Sequence, residues 1–271
     1  MSDPRSNPVN VPAVRVSKRR DGHPPLVMVT AYDSPGARIA DAAGVDMILV
    51  GDSVATNVLG YHDTLQVTVE DMAHHTAAVA RARPKPMIVS DLPWMSYHLD
   101  TTDTVRNGAT LIRAGAQAVK LEGGVNRVPM IEALVAAEIP VVGHLGLTPQ
   151  SVHAMGGYRV QGRDDAAAHA LTLAAKAVSA AGCFAVVIEG VPERVGEAIT
   201  ESLDVPTIGI GAGPACDGQV LVLHDLLGFN AAVPKFVRRY AELEDAAVAA
   251  VASYAADVRS GAFPADAEVY H

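Results

Sequence analysis

PMIVSDLPWMSYHLDTTDTVRNGATLIRAGAQAVKLE, residues 86–122, holds the unit from which the fold follows. It opens with a short apolar run, Pro86–Asp91, that ends in a carboxylate. Thr101–Ala114 then carries apolar residues at helical spacing and is closed by Gly115; a second apolar run, Ala118–Glu122, ends in another carboxylate. Short apolar runs separated by a helix are the sequence form of two parallel strands joined by a right-handed crossover.

The unit recurs in both directions. Further apolar runs stand at Val27–Ala31, Asp46–Gly51, Pro140–His144, Phe184–Glu189, Pro206–Gly211 and Gln219–His224. Helical stretches lie at Val69–Arg83, Val128–Ala137, Asp164–Ala181 and Glu193–Leu203, each with apolar residues on one face. Gly44, Gly115 and Gly182 end helices where a left-handed cap is expected. Thr101 and Asp164 occupy N-cap positions. Eight strands alternating with helices predict a closed (β/α)8 TIM barrel. An open doubly wound sheet fits less well, given the count of eight and the missing early G-x-G-x-x-G. Residues 1–271 are expected to form one such domain, with an added N-terminal helix and a C-terminal helical extension. That tail, Leu243–Val258, would cap the barrel or pack against another subunit.

Composition agrees. The 271 residues are 49% apolar, 19% charged and only 4% aromatic, so the core is built from aliphatic side chains, as suits a sheet covered on both faces. A net charge of −9 argues against nucleic acid, which needs basic surface. The one basic cluster, Arg15, Lys18, Arg19 and Arg20, reads as the wet face of the short N-terminal helix. No apolar run reaches the roughly 18 residues of a membrane span. Met1–Asn10 is polar and unlike a signal peptide. Cys183 and Cys216 have neither disulfide nor metal spacing and read as small buried hydrophobes. A cytoplasmic location follows as the expectation.

In a barrel of this kind the chemistry sits at the C-terminal ends of the strands. Those ends supply Asp52 and Ser53, Asp91, Lys120 and Glu122, His144, and Glu189. Lys120 and Glu122, two apart, share one face of their strand, with the lysine one layer lower. Singly, each of these residues has a plain structural explanation as a turn, a cap or a core hydrogen bond. Together, four carboxylates would share a mouth about 10 Å across. Such crowding drives pKa values up unless a cation neutralises it, and Lys120 alone is too little. Oxygen donors select Mg2+, with Mn2+ and Ca2+ as alternatives, over zinc.

Two loops stand out. Leu145–Arg163 is long, has the pair Gly156-Gly157 and carries Tyr158, Arg159 and Arg163, the marks of a lid. Gly209–Gly213, G-I-G-A-G, follows strand seven, where a barrel can bind an anion, although a tight turn explains it equally well.

Longer motifs carry a resemblance. They are T-A-Y-D at Thr30–Asp33, V-G-D-S at Val50–Ser53, T-V-E-D-M-A-H-H-T at Thr68–Thr76, D-L-P at Asp91–Pro93 and V-K-L-E-G-G at Val119–Gly124. G-H-L-G-L-T-P-Q-S at Gly143–Ser151, G-G-Y-R-V-Q-G-R at Gly156–Arg163 and the G-I-G-A-G turn complete the set. From about Leu26 to Tyr240 the chain resembles the ketopantoate hydroxymethyltransferase family. The resemblance implies a barrel of the phosphoenolpyruvate/pyruvate type, assembled as a homo-oligomer, usually a decamer. It implies transfer of a hydroxymethyl group from 5,10-methylenetetrahydrofolate to 3-methyl-2-oxobutanoate, giving 2-dehydropantoate on the way to pantothenate. It also implies that Asp52, Asp91 and Glu122 hold Mg2+, partly through water, that Ser53, Lys120 and His144 contact the keto acid, and that Glu189 is the base. No motif for the folate is legible. A 2-oxo-acid lyase or phosphonomutase on the same barrel is the competing class; it would ordinarily add a reactive cysteine on a lid, where neither Cys183 nor Cys216 stands.

Overall fold

The computed structural model describes residues 8–271. Positions 1–7 of the polar segment Met1–Asn10 lie outside the described residues. The chain falls into two compact units, Met1–Val222 and Leu223–His271. The first is a closed barrel of eight parallel strands in sequential order. These are β1 Leu26–Thr30, β2 Met47–Val50, β3 Met87–Asp91, β4 Ala118–Glu122, β5 Val141–Gly146, β6 Ala185–Glu189, β7 Thr207–Ile210 and β8 Gly218–Leu221. Its helices are α1 Val11–Arg15, α2 Ser34–Ala43, α3 Val54–Asn57, α4 Val69–Ala80, α5 Thr101–Arg113, α6 Val128–Ala136, α7 Val152–Met155, α8 Asp165–Ala180 and α9 Glu193–Ser202. The second unit holds α10 Leu223–Leu227 and α11 Leu243–Ser260.

Side chains alternate across each strand. On β2, Ile48 and Val50 face the helix layer, while Met47 and Leu49 fill the barrel with Met28, Met87, Val89, Val142, Val187 and Val220. Continuing that alternation upward from Val89, Ala118, Val142 and Val187 puts Asp91, Lys120, His144 and Glu189 on the inward face, with Glu122 a step above Lys120. The barrel is therefore apolar in its lower layers and ionic at its mouth.

Four expectations need correction. No helix joins β7 to β8; residues 211–217 make the connection by turns alone. The Gly209–Gly213 turn packs closely on α9 there, where a side chain at Gly196 would strike the Ala212 carbonyl oxygen. The eighth strand stops at Leu221, and His224 belongs to α10. The N-cap of α5 is Asp100, which accepts from Asp103 N–H, not Thr101; a carboxylate is the stronger partner at the positive end of a helix. Asp164 caps α8 as expected.

The basic cluster, fourth, does not lie wholly in solvent. Arg15, Arg19 and Arg20 are exposed, but Lys18 is buried. Its Nζ lies 2.7 Å from Asp217 Oδ2 and donates to the carbonyl oxygens of Thr200 and Val205. These partners sit at the entry to β7 and β8, the end of the barrel opposite the mouth. Val14, fully buried, joins the barrel-interior cluster. The N-terminal segment is thus part of the barrel floor rather than an addition to its surface.

Candidate active site

The mouth is built in two ionic layers. Register places Asp91 beside Lys120, and Glu122 beside His144. Lys120 Nζ lies 3.1 Å from Asp91 Oδ1. His144 Nδ1 lies 3.3 Å from Glu122 Oε1, and its Nε2 lies 3.1 Å from Glu189 Oε2. Asp52, just past β2, donates its backbone N–H to Asp91 Oδ2 at 3.0 Å. Ser53 Oγ is 2.8 Å from the Tyr32 hydroxyl, and the Tyr32 carbonyl is 2.7 Å from His75 Nδ1. Two glycines make the approach possible. A Cβ on Gly51 would lie 2.8 Å from Ser53 Oγ, and one on Gly146, at φ +96°, would run into the Glu189 carbonyl.

All the expected site residues therefore converge. Asp52, Asp91, Lys120, Glu122 and His144 are buried, while Glu189 is 15% exposed and opens onto the mouth. The electrostatics follow from that burial. Burial pushes the Lys120 ammonium down, but Asp91, Glu122 and Asp52 outweigh it and hold the group charged. Burial and Lys120 likewise disfavour charge on His144, yet Glu122 and Glu189 push it up to about 9. That shift favours the imidazolium, whose Nδ1 faces Glu122 and whose Nε2 faces Glu189, while Lys120 Nζ lies 3.1 Å from both His144 Nδ1 and Asp91 Oδ1. Burial, then Asp91 and Glu122, raise Asp52 well above the usual carboxylate range; Asp91 is raised by burial against the pull of Lys120.

Were all four carboxylates ionised, Lys120 and His144 would leave two negative charges uncompensated. A divalent cation fits that deficit. The donors are oxygens, and Asp91 Oδ1 is a buried oxygen that accepts no well-formed hydrogen bond. Among the described residues, no three His, Cys, Asp or Glu side chains are already grouped to hold an ion. Both Glu122 oxygens are engaged, one by His144 and the other by the Gln150 backbone N–H at 3.0 Å. The donors left at the mouth are carboxylate oxygens, the chemistry of a hard divalent ion.

The sequence model of the ketopantoate hydroxymethyltransferase family matches residues 9–266. The chain belongs to this family. It is 54% identical over 248 residues to the 3-methyl-2-oxobutanoate hydroxymethyltransferase of Geotalea uraniireducens, covering 91% of this chain and 93% of that one. To the enzyme of the same name from Pelobacter propionicus it is 50% identical over 268 residues, 98% of each chain. Among solved structures, a phosphoenolpyruvate phosphomutase from Streptomyces platensis superposes with a TM-score of 0.63 at 17% identity, covering 93% of this chain and 88% of the other. That likeness establishes the barrel type alone.

The ketopantoate hydroxymethyltransferase motifs have legible structural work in this chain. T-A-Y-D braces V-G-D-S through Tyr32 and Ser53, and its Asp33 caps α2. Thr68 and Asp71 form the capping box that starts α4. Within G-H-L-G-L-T-P-Q-S, Gln150 reaches into the mouth and donates to Asp52 Oδ2 at 2.8 Å. Tyr97, buried on the loop after β3, donates to Gln150. Sequence reasoning missed both, because a neutral amide and a tyrosine in loops carry no charge signal. Cys183 and Cys216 are buried and free. Burial pushes the Cys183 thiol up to about 12 and raises Cys216 as well, so neither is an available thiolate.

The expected lid begins two residues later than Leu145, since β5 runs through Gly146. Residues 147–163 include a 3-10 turn, Pro149–Ser151, and α7. Gly156 and Gly157 both have positive φ, 66° and 113°, and Tyr158 is 57% exposed. No helix among the described residues is long and apolar enough to cross a membrane.

Proposed function

We propose that the chain transfers a hydroxymethyl group from 5,10-methylenetetrahydrofolate to 3-methyl-2-oxobutanoate, forming 2-dehydropantoate in pantothenate biosynthesis. Family membership supports the reaction. The observation that carries its assignment to this mouth is the convergence of Asp52, Asp91, Glu122 and the more open Glu189 around only two cationic side chains, Lys120 and His144.

Asp52 and Asp91 would hold Mg2+, with Glu122 acting through water because its own oxygens are taken. When bound, Mg2+ supplies Lewis acidity to the carboxylate and keto oxygens of a 2-oxo acid. Ser53, Lys120 and His144 orient the keto acid: a hydroxyl, an ammonium and an imidazolium are the donors a carboxylate needs. Glu189 is the carboxylate most open to the mouth and takes the C3 proton. His144 beside it holds Glu189 in position and accommodates the change in its charge. The carbon nucleophile so formed attacks the one-carbon unit of the folate.

The lid, residues 147–163, closes over the substrates with Gly156-Gly157 as hinge and excludes water. The working form is a homo-oligomer, a decamer, in the cytoplasm. No residue of α11 is buried, and Val248, Val251 and Tyr254 give it an apolar face suited to subunit packing. Light scattering at the protomer mass of 28.2 kDa would contradict assembly. Incubating the protein with the keto acid, the folate and Mg2+ tests the function: 2-dehydropantoate should accumulate, and its absence would overturn the proposal.

A further inference from the structure

The first turn of the lid carries a side chain that none of these roles uses. Gln150 is buried, and every donor of its amide is engaged. Its Nε2 donates to Asp52 Oδ2 at 2.8 Å and to the Leu92 carbonyl at 3.0 Å. Its Oε1 accepts from the Tyr97 hydroxyl at 2.5 Å, and its backbone N–H donates to Glu122 Oε2 at 3.0 Å. One residue thus holds two of the mouth's carboxylates, one through its side chain and one through its main chain.

The amide's orientation is fixed by its neighbours. The Tyr97 hydroxyl accepts the Glu122 backbone N–H at 3.2 Å, which leaves its single hydrogen for Gln150. Oε1 must then be the acceptor, and both Nε2 hydrogens turn toward Asp52 and Leu92. A flipped amide would set its oxygen against the Asp52 carboxylate and waste the tyrosine's hydrogen.

Neutrality matters here. A lysine or arginine in this place would hold Asp52 equally well but would compete with a metal ion for its charge. A second carboxylate would repel it. An amide locates one Asp52 oxygen and leaves the negative charge available. We infer that Gln150, oriented by Tyr97, is a positioning residue that fixes Asp52 and Glu122 for a divalent cation and ties the lid's first turn to that site. The inference rests on the metal reading proposed above.

Manganese binding followed by electron paramagnetic resonance tests it without turnover. Wild type should bind Mn2+ saturably. Gln150→Leu, similar in size but without donors, should weaken Mn2+ binding about 10–100-fold, the usual worth of a group that orients a metal ligand. Tyr97→Phe, which removes one oxygen, should give a smaller loss in the same direction. Combined with Gln150→Leu it should add little, because it acts through the amide. In turnover, the half-saturating Mg2+ concentration should rise in Gln150→Leu while kcat at saturating Mg2+ recovers. A purely structural role would lower the melting temperature without that split. If Gln150→Leu does not fold, Tyr97→Phe and its Mn2+ affinity carry the test. Unchanged Mn2+ affinity in the folded variants would overturn the inference and leave the metal reading standing. Wild type that binds no Mn2+ would overturn both.

Discussion

Replacing Lys18 by methionine should destabilise the barrel without touching its chemistry. The Lys18 and Asp217 side chains are 2% and 1% exposed, with their charges 2.7 Å apart. At an effective dielectric constant of about 20, that separation corresponds to roughly 6 kcal/mol of attraction, against which stands the cost of taking both ions out of water. Removing one partner leaves the other charge buried, which typically costs about 3–5 kcal/mol. Asp217 keeps neutral donors in the Arg19 and Thr207 backbone N–H groups and the Thr207 hydroxyl, which places the loss near the lower bound. About 3 kcal/mol corresponds to a fall in melting temperature of about 6–12 °C for a chain of this size. Lys18→Met combined with Asp217→Asn should recover part of it, since no charge is then stranded. Differential scanning calorimetry on wild type and the two variants reads both effects. Turnover at a permissive temperature should match wild type, because the pair lies at the floor of the barrel. A melting temperature unchanged by Lys18→Met would refute the reasoning, and lost turnover in a fully folded variant would show that floor and mouth are coupled.

Further outcomes follow from the mouth. Chelation should abolish turnover and Mg2+ restore it, with zinc a poor substitute; Asp52→Ala and Asp91→Ala should each weaken metal and keto-acid binding in titration calorimetry, and full activity in metal-free buffer would end this reading. Lid residues 147–163 should gain protection from hydrogen exchange when keto acid and Mg2+ are added; exchange indifferent to ligand would make the segment ordinary surface. In metal-free protein the His144 pKa stands raised from 6.5 to about 9, so the charged ring's contribution to stability is complete below pH 6.5 and is lost as pH rises through 9. Thermal melts across that window should show a decline that His144→Gln flattens, and parallel curves for the two proteins would contradict the assignment.

Much of this was legible in the sequence because strand alternation is strict. Once Ala118–Glu122 is read as a strand, Lys120 and Glu122 must share a face, and the recurrence of the unit brings Asp91, His144 and Glu189 to the same mouth. What escaped had no periodic signature. Lys18 looks like one member of a basic run, and only its placement opposite Asp217, far along the chain, removes it from solvent. Gln150 and Tyr97 are uncharged loop residues whose importance lies in which carboxylates they meet. The upward shift of the His144 pKa was equally hidden, since it depends on two glutamates from different strands. The helix missing between β7 and β8 shows the limit of reading by repetition: the turn glycines there allow a direct connection that the eightfold pattern did not anticipate.

In the proposed reaction this mouth generates a carbon nucleophile from a 2-oxo acid with Glu189 as its base. Exchange of the C3 proton of 3-methyl-2-oxobutanoate in deuterated water, followed by proton NMR without folate, isolates that step. Wild type with Mg2+ should catalyse the exchange. Glu189→Gln keeps the shape and loses the base, so it should still bind keto acid and metal while the exchange rate falls about 10²–10⁴-fold. Exchange by Glu189→Gln at the wild-type rate would contradict the account and send the search for the base elsewhere in the mouth.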